Sequence, residues 1–312
     1  MVYRRDDFLS IFPERLKDKL KEYSKEGIQE IRVKVNKPVI IYRGLGEVIL
    51  NYRASLEEIK YILKRISMYS IYAYEEEIKR GFITIKGGHR VGLAGECVMD
   101  GEKVKTIKNI SSINLRITKE ILGCSKKVIP HITENNQVLN TIIISPPKCG
   151  KTTILRDLSR VISNGTSEGK LEGKKVVIID ERSEIAASYE GIPQMDVGLR
   201  TDVLDNCYKK EGLIMAVRSL SPEVIICDEI GREEEVNEIK NAFNSGVKVV
   251  FSVHGQGIED LYKREGLDEL LKREIVDRIL VLANRDGKFY IDKVYKKNLQ
   301  GGFKCLNICG LV

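Results

Sequence analysis

The 312-residue chain is 42% hydrophobic and 6% aromatic, and its 52 Lys and Arg against 45 Asp and Glu leave a net charge of +7. Ordinary apolar content with high charge predicts a soluble globular protein with room for two domains, and no apolar run is long enough to span a membrane. The charge is uneven, because residues 1–135 hold 26 Lys and Arg against 18 Asp and Glu, a net +8, while the remainder nets −1. A basic first domain points to an acidic partner, an anionic membrane surface or nucleic acid, although a solvated basic face explains the same excess.

The opening MVYRRDDF lacks the apolar core of a signal peptide, so a cytoplasmic location is expected. Seven cysteines (97, 124, 149, 207, 227, 305 and 309) are odd in number, scattered and without a C-x-x-C pair. They predict reduced thiols, with neither a disulfide framework nor a zinc site.

In chain order, residues 6–26 have helical periodicity (Leu9, Phe12, Leu16, Leu20, Tyr23), with Pro13 near a helix start. IQEIRVKVNKPVIIYR alternates apolar and polar residues around Asn36-Lys37-Pro38, the pattern of a hairpin. Ser55 caps a second helix, SLEEIKYILKRI, with Glu57 and Glu58 in its first turn, and YAYEEEIKR ends a third at Gly81. FITIKGGHRVGLAGECV predicts a hairpin turning at Gly87-Gly88, and ISSINLRIT a further strand. Residues 1–135 thus form a basic α+β domain. GLAG at 92–95 matches the KH-domain G-x-x-G, but inside a strand pattern rather than between helices. GCSKKVIPHITENN is the expected linker.

Residues 136–312 alternate strands and helices, as an α/β domain does. Strands are expected at 141–145, 175–180, 223–228, 247–253 and 276–282, with a terminal hairpin around 288–295. The stretch NTIIISPPKCGKTTILRDLSRVI joins an apolar strand, a tight loop, GKTT and an amphipathic helix. That is the P-loop arrangement, in which backbone amides and a helix N-terminus offer positive dipole to phosphates. Nucleotide contacts are expected from Ser145, Pro146, Pro147, Lys148, Cys149, Gly150, Lys151, Thr152 and Thr153. Lys151 reaches the outer phosphates and Thr152 ligates Mg²⁺, which makes ATP and Mg²⁺ the expected cofactors. Ser145 stands where the P-loop pattern has its first glycine, a position that shapes the loop entrance rather than the cradle.

Two apolar strands end in carboxylates, KKVVIIDERSE and SPEVIICDEIGR. A P-loop ATPase needs one such carboxylate for the metal shell and another to orient and deprotonate water. Asp228 is assigned to the first role and Glu229 to the second, with Asp180 and Glu181 a second candidate pair. His254 ends the strand VKVVFSVH; if that strand lies between the Asp228 strand and the P-loop strand, its side chain stands beside the γ-phosphate. Asp-Glu-Ile-Gly at 228–231 fits the D-x-x-G of GTPases, but no [NT]KxD follows. A small-molecule kinase wants a lid with several arginines.

Taken together, PPKCGKTT, IIDERSE, VRSLSPEVIICDEIGR and FSVHGQG, in this order, resemble the secretion-superfamily ATPases, the hexameric motors of type II and type IV secretion and pilus assembly. EIRVKVNKP and GGHRVGLAGECV extend the resemblance over nearly the whole chain to the stage III sporulation AA family of endospore formers. It implies a RecA-like P-loop ATPase core with a smaller α+β N-terminal domain. It further implies a homo-hexameric mother-cell ATPase, cytoplasmic and held at the outer forespore membrane by membrane proteins of a sporulation channel. Secretion ATPases have Gly-Glu where this chain has Asp228-Glu229, so the glutamate keeps its role while Asp228 rests on general P-loop chemistry. Arg218 matches an arginine that these motors place before the same strand, and Arg90 and Arg116 resemble arginines presented near nucleotide. Arg200, in the insertion after the second strand, is placed to face a neighbour. The competing function is a nucleic-acid-dependent RecA-like ATPase working through the basic domain. It is disfavoured because aromatic residues are not interleaved with the basic ones.

Overall fold

The computed structural model describes residues 7–311, except 25–26, 45, 148, 167–168, 265, 286–287, 299 and 307–309. Lys148 and Cys309 therefore lie outside the described residues. Contacts divide the chain into two units, one running to Lys119 and including Ala187–Met195, the other comprising Glu120–Ala186 and Asp196 onward. The division falls earlier than the expected boundary at 135, and a nine-residue excursion from the second half joins the first unit. No helix of the described residues is long and apolar enough to cross a membrane.

In the first unit, a 3₁₀ turn (Asp7–Ile11) and α1 (Glu14–Ser24) replace the single helix expected over 6–26. Pro13 separates them, since it has no amide hydrogen to donate to the preceding turn. Strands β1 (Ile28–Lys34), β2 (Pro38–Arg43) and β3 (Gly46–Arg53) follow, the first turn held by Asn36 at φ 57°. β3 was not anticipated, because its exposed Ile49 and Gly46 break the alternation of a half-buried strand. α2 (Leu56–Ile66) begins with a capping box in which Ser55 and Glu58 satisfy each other's backbone amides. After α3 (Glu75–Lys79) come β4 (Phe82–Ile85), β5 (His89–Asp100) and β6 (Lys103–Arg116).

The antiparallel sheet has the order β3-β2-β1-β6-β5-β4. Its buried face sets Ile31 opposite Leu115 and Val33 opposite Ile113, and packs these on Leu16, Leu20, Ile59 and Ile62 of the helices. Gly92–Gly95 lies inside β5, so the KH reading has no helix pair to stand on. The excursion is received at the Gly87-Gly88 turn. Gln194 Oε1 accepts the Gly87 amide at 2.9 Å, and a Cβ on Gly88 (φ +73°) would sit 2.5 Å from that of Ala187. Only glycine fits there.

The second unit opens with a short helix α4 (Ile129–Ile132) and the two-residue strands β7 (Thr133–Glu134) and β8 (Gln137–Val138). The main sheet is built from β9 (Thr141–Ser145), β10 (Val176–Asp180), β11 (Thr201–Asp205), β12 (Val224–Cys227), β13 (Lys248–His254), β14 (Arg278–Arg285) and β15 (Lys288–Lys297). Two short strands, β16 (Phe303–Cys305) and β17 (Gly310–Leu311), both pair with β15. The order is β11-β10-β12-β13-β9-β14-β15-β16, parallel from β11 to β14. Every residue of β9, β10 and β12 is buried, which is why these strands read as unbroken apolar runs. Helices α5 (Lys151–Asn164), α6 (Lys209–Met215) and α7 (Glu233–Asn244) make the crossovers, and α8 (Glu259–Tyr262) and α9 (Leu267–Lys272) lead into β14. β11 lies within the stretch 183–217, where too few apolar residues alternate for the sequence to reveal it.

The expected linker packs on α5 instead of running free. Val128, Ile129 and Ile132 share a core with Ile154, Leu155 and Leu158. Asp157, 2% exposed, accepts the amides of Gly123 (3.0 Å) and Ser125 (2.8 Å) and the Ser125 hydroxyl (2.6 Å), and pairs with Arg160 at 2.6 Å. Burial opposes its charge, but these donors outweigh it and hold the carboxyl below 3.8. Asp157→Ala should lose about 2–4 kcal/mol in denaturant unfolding, because several donors would be left unmet. A depressed carboxyl stabilises fully above its unfolded pKa and loses that contribution as pH falls through the folded value. Wild-type stability should therefore drop below about pH 4 more steeply than that of Asp157→Ala.

Candidate active site

The parallel register assembles the site at the C-terminal ends of β9, β12 and β13. β13 lies between the other two, with Cys227 opposite Phe251 and His254 opposite Ser145. This is the strand placement on which the reading of His254 depended. Ser145 is fully buried as the last residue of β9, and its Oγ bonds to the Pro146 carbonyl at 3.0 Å. The substituted serine thus closes the strand and stays out of the loop. Pro146 and Pro147 turn the chain outward, Cys149 is buried, and Gly150 adopts φ 74°, ψ 15° at the start of α5. A Cβ at Gly150 would stand 3.4 Å from the Phe289 ring in a backbone region costly to any other residue.

Lys151 begins α5 and is 6% exposed, with Thr152 and Thr153 in the same first turn. The Lys151 ammonium lies 3.4 Å from Glu229 Oε1 and 2.9 Å from His254 Nδ1. His254 Nε2 stands 2.7 Å from the same Glu229 oxygen. The ammonium also lies 3.2 Å from Nε2, so it stands against both ring nitrogens, and Nε2–H donating to Glu229 leaves Nδ1 as the acceptor nitrogen. The second oxygen, Oε2, meets Arg182 Nη1 at 3.2 Å. Burial works against the Glu229 charge, but Lys151, His254 and Arg182 outweigh it and hold the carboxyl below its ordinary range.

Asp228 faces the other way. Thr152 Oγ1 donates to its Oδ2 at 2.9 Å, and Ser252 Oγ donates to its Oδ1. The Ser252 oxygen also accepts the Glu229 amide at 3.0 Å. Glu229 sits at φ 53°, a conformation costing a non-glycine residue about 1–2 kcal/mol, and Ser252 together with the Lys151–His254 pair determines it. A hydroxyl hydrogen-bonded to one carboxylate is an oxygen donor set of the kind Mg²⁺ takes, so Thr152 and Asp228 fit that ion.

The earlier carboxylates play different parts. Asp180 is 3% exposed, and its two oxygens accept the amides of Glu184 and Ala186, each at 2.8 Å. Burial pushes this carboxyl up, to about 7, against the pull of those amides. Asp180 therefore shapes the turn after β10. Glu181 pairs with the buried Lys209, and with Asp180, Arg182, Asp228 and Glu229 it lines a small cavity between the ends of β10 and β12.

The expected arginines separate. α6 starts at the top of the sheet with Lys209 and descends, so exposed Arg218 in the following π-helical turn lies about 13 Å further along, near the start of β12. That is the edge of the sheet away from Lys151 of the same chain. Arg200 is exposed, and its guanidinium donates to the Ser163 carbonyl at 2.9 Å. In the first unit, Arg90 and Arg116 are directly opposite on β5 and β6, with Arg90 stacked 3.6 Å over the Phe82 ring. Sequence reasoning missed Arg182 and Ser252. Arg182 stands one residue past the Asp-Glu pair that drew attention, and Ser252 reads as filler in an apolar strand.

The sequence matches the family described as "Sporulation stage III, protein AA" over residues 3–301. Stage III sporulation protein AA of Bacillus subtilis (strain 168) is 43% identical over 296 residues, covering 94% of this chain and 95% of that protein. Among solved structures, the Legionella pneumophila ATPase DotB matches with a TM-score of 0.60 at 15% identity, over 96% of this chain and 81% of DotB. The pilus retraction motor PilT with bound ADP gives a TM-score of 0.60 at 13% identity, over 95% and 82% of the two chains. At such identities the likeness is one of fold, and the fold is α/β, a P-loop ATPase core of the secretion-motor type with a smaller α+β domain before it. With nearly its whole length matched by both the family and the Bacillus relative, the chain belongs to the sporulation stage III, protein AA family.

Proposed function

We propose that this protein is an oligomeric motor that hydrolyses ATP to ADP and phosphate, and that it serves a sporulation channel complex at the outer forespore membrane. The observation carrying the enzymatic part is the convergence of Lys151, Glu229 and His254 on one point beside the Thr152–Asp228 pair. Lys151 moves from Glu229 onto the β- and γ-phosphates, and the loop amides with Gly150 cradle them. Mg²⁺ held by Thr152 and Asp228 supplies charge neutralisation on the phosphate oxygens. Glu229, released by Lys151, accepts a proton from water. The water oxygen attacks the γ-phosphorus, and the bond to the β–γ bridging oxygen breaks. His254 stays on Glu229 and keeps it oriented.

The channel role, the hexamer and the membrane-protein partners extend this reading by analogy, supported by the B. subtilis relative's name and the motor fold. Arg218 cannot reach its own phosphates by the fold's geometry, so its part is to serve a neighbouring subunit. Arg90 and Arg116 are assigned the same kind of role. The competing reading, a nucleic-acid-dependent ATPase, draws on that arginine pair and the basic charge. Failure of single-stranded DNA or RNA to stimulate hydrolysis near physiological salt would remove it.

Lys151→Ala should abolish turnover. Glu229→Gln should still bind Mg·ATP and turn over at least 100-fold more slowly, within the range of general-base losses. Near-normal turnover by Glu229→Gln with a dead Glu181→Gln would move the base to the earlier pair. Arg218→Ala should lose most turnover, since a finger supplied in trans is worth on the order of 10³-fold, while ATP still binds. Mixed under exchange conditions with Lys151→Ala, it should recover part of the activity. A mixture no better than its components would show that Arg218 does not complete a shared site.

A further inference from the structure

We propose that Arg182 is a positioning residue for Glu229, held in place by a clamped loop so that the base stays oriented once Lys151 turns to the phosphates. The proposal rests on the reading of Glu229 as the base. Three cationic or proton-donating groups share its carboxylate, two on Oε1 (Lys151 at 3.4 Å, His254 at 2.7 Å) and Arg182 on Oε2 at 3.2 Å. Lys151 has to leave when a triphosphate arrives, which frees a lone pair on Oε1 for water. Without Arg182, the carboxylate would then be tethered by His254 alone and free to rotate about its last bond. An arginine suits the task because it keeps its charge at every working pH and takes no proton from the base.

The side chain of Arg182 is 62% exposed and fills no core, so by itself the pair would read as an ordinary surface contact. Its backbone tells otherwise. The loop from Glu181 to Ala186 is fastened from two sides by buried groups. The Asp180 carboxylate accepts the amides of Glu184 and Ala186, and the buried Arg156 guanidinium donates to the carbonyls of Glu184 (2.7 Å) and Ile185. Ser183, next to Arg182, is held at φ 52°, and its amide reaches back to the Asp180 carbonyl at 3.3 Å. Arg156 projects from α5, the helix that Lys151 begins. The P-loop helix therefore fixes Lys151 at its start and, one turn on, the loop presenting Arg182, so both cations on Glu229 are set by one element.

The test compares steady-state ATP hydrolysis of the full chain carrying Arg182→Ala, Arg182→Lys, Glu229→Gln, and Arg182→Ala with Glu229→Gln. Arg182→Ala should lower kcat about tenfold or more with KM for ATP little changed, since the guanidinium acts on the base and not on the nucleotide. Arg182→Lys should recover a large part of the loss. The double variant should be no slower than Glu229→Gln, because the arginine has nothing left to orient. An unchanged kcat in Arg182→Ala beside an inactive Glu229→Gln overturns the proposal and leaves the base reading standing. So does a rise in KM at constant kcat, which would place Arg182 on the nucleotide, or a further loss in the double variant. Near-normal turnover in Glu229→Gln overturns the base reading, and the role of Arg182 with it. Unchanged thermal melting of Arg182→Ala excludes misfolding as the source of any loss.

Discussion

The position of β13 between β12 and β9 is the constraint from which the site follows. Parallel pairing fixes His254 beside Ser145 and Phe251 beside Cys227, so the loops leaving three adjacent strands open onto the same point. Strands buried on both faces hold this register through their backbone, because a shift would leave buried amides and carbonyls unpaired. Lys151 and Thr152, Asp228 and Glu229, and His254 come from three distant stretches of sequence and meet because their strands are neighbours in the sheet. Ser252 adds the last restraint from within β13, tying Asp228 and the Glu229 amide to the strand between them.

That arrangement stores charge in a compensated form. A buried ammonium and a half-buried carboxylate each carry a desolvation cost, and they offset it for one another. On the function proposed above, phosphates would replace Glu229 as the partner of Lys151. Binding and activation of the base would then be a single event, with the carboxylate freed for water only where phosphate holds the lysine. The turn after β10 joins the same logic. Asp180 and Arg156 spend their polar groups on backbone, and the loop they fasten runs directly into Ala187–Met195, the segment that belongs to the first unit.

Much of this was legible in the sequence wherever one residue type answers one physical demand. The apolar runs of β9, β10 and β12 announced buried parallel strands, Ser55 announced a capped helix, and GKTT after a strand announced a helix starting at Lys151. His254 was readable only through an assumed strand order, which the sheet has. What stayed hidden depends on partners distant in the chain. Asp180–Glu181 and Asp228–Glu229 read alike in the sequence, and only the structure shows the amides of Glu184 and Ala186 on the first carboxylate and the ammonium of Lys209 on the second. Residues 123–136 read as a linker because the Asp157 carboxylate that receives Gly123 and Ser125 lies on a later helix. Arg182 and Ser252 carry no local signal at all.

The most direct measurement is a structure of the protein with Mg²⁺ and a non-hydrolysable ATP analogue. It should show the γ-phosphate within hydrogen-bond reach of the Lys151 ammonium, the Glu229 carboxylate parted from Lys151 but still on His254, and the metal between Thr152 and Asp228. A nucleotide bound elsewhere, or a Lys151 still paired with Glu229 beside a bound triphosphate, would contradict the account of this site.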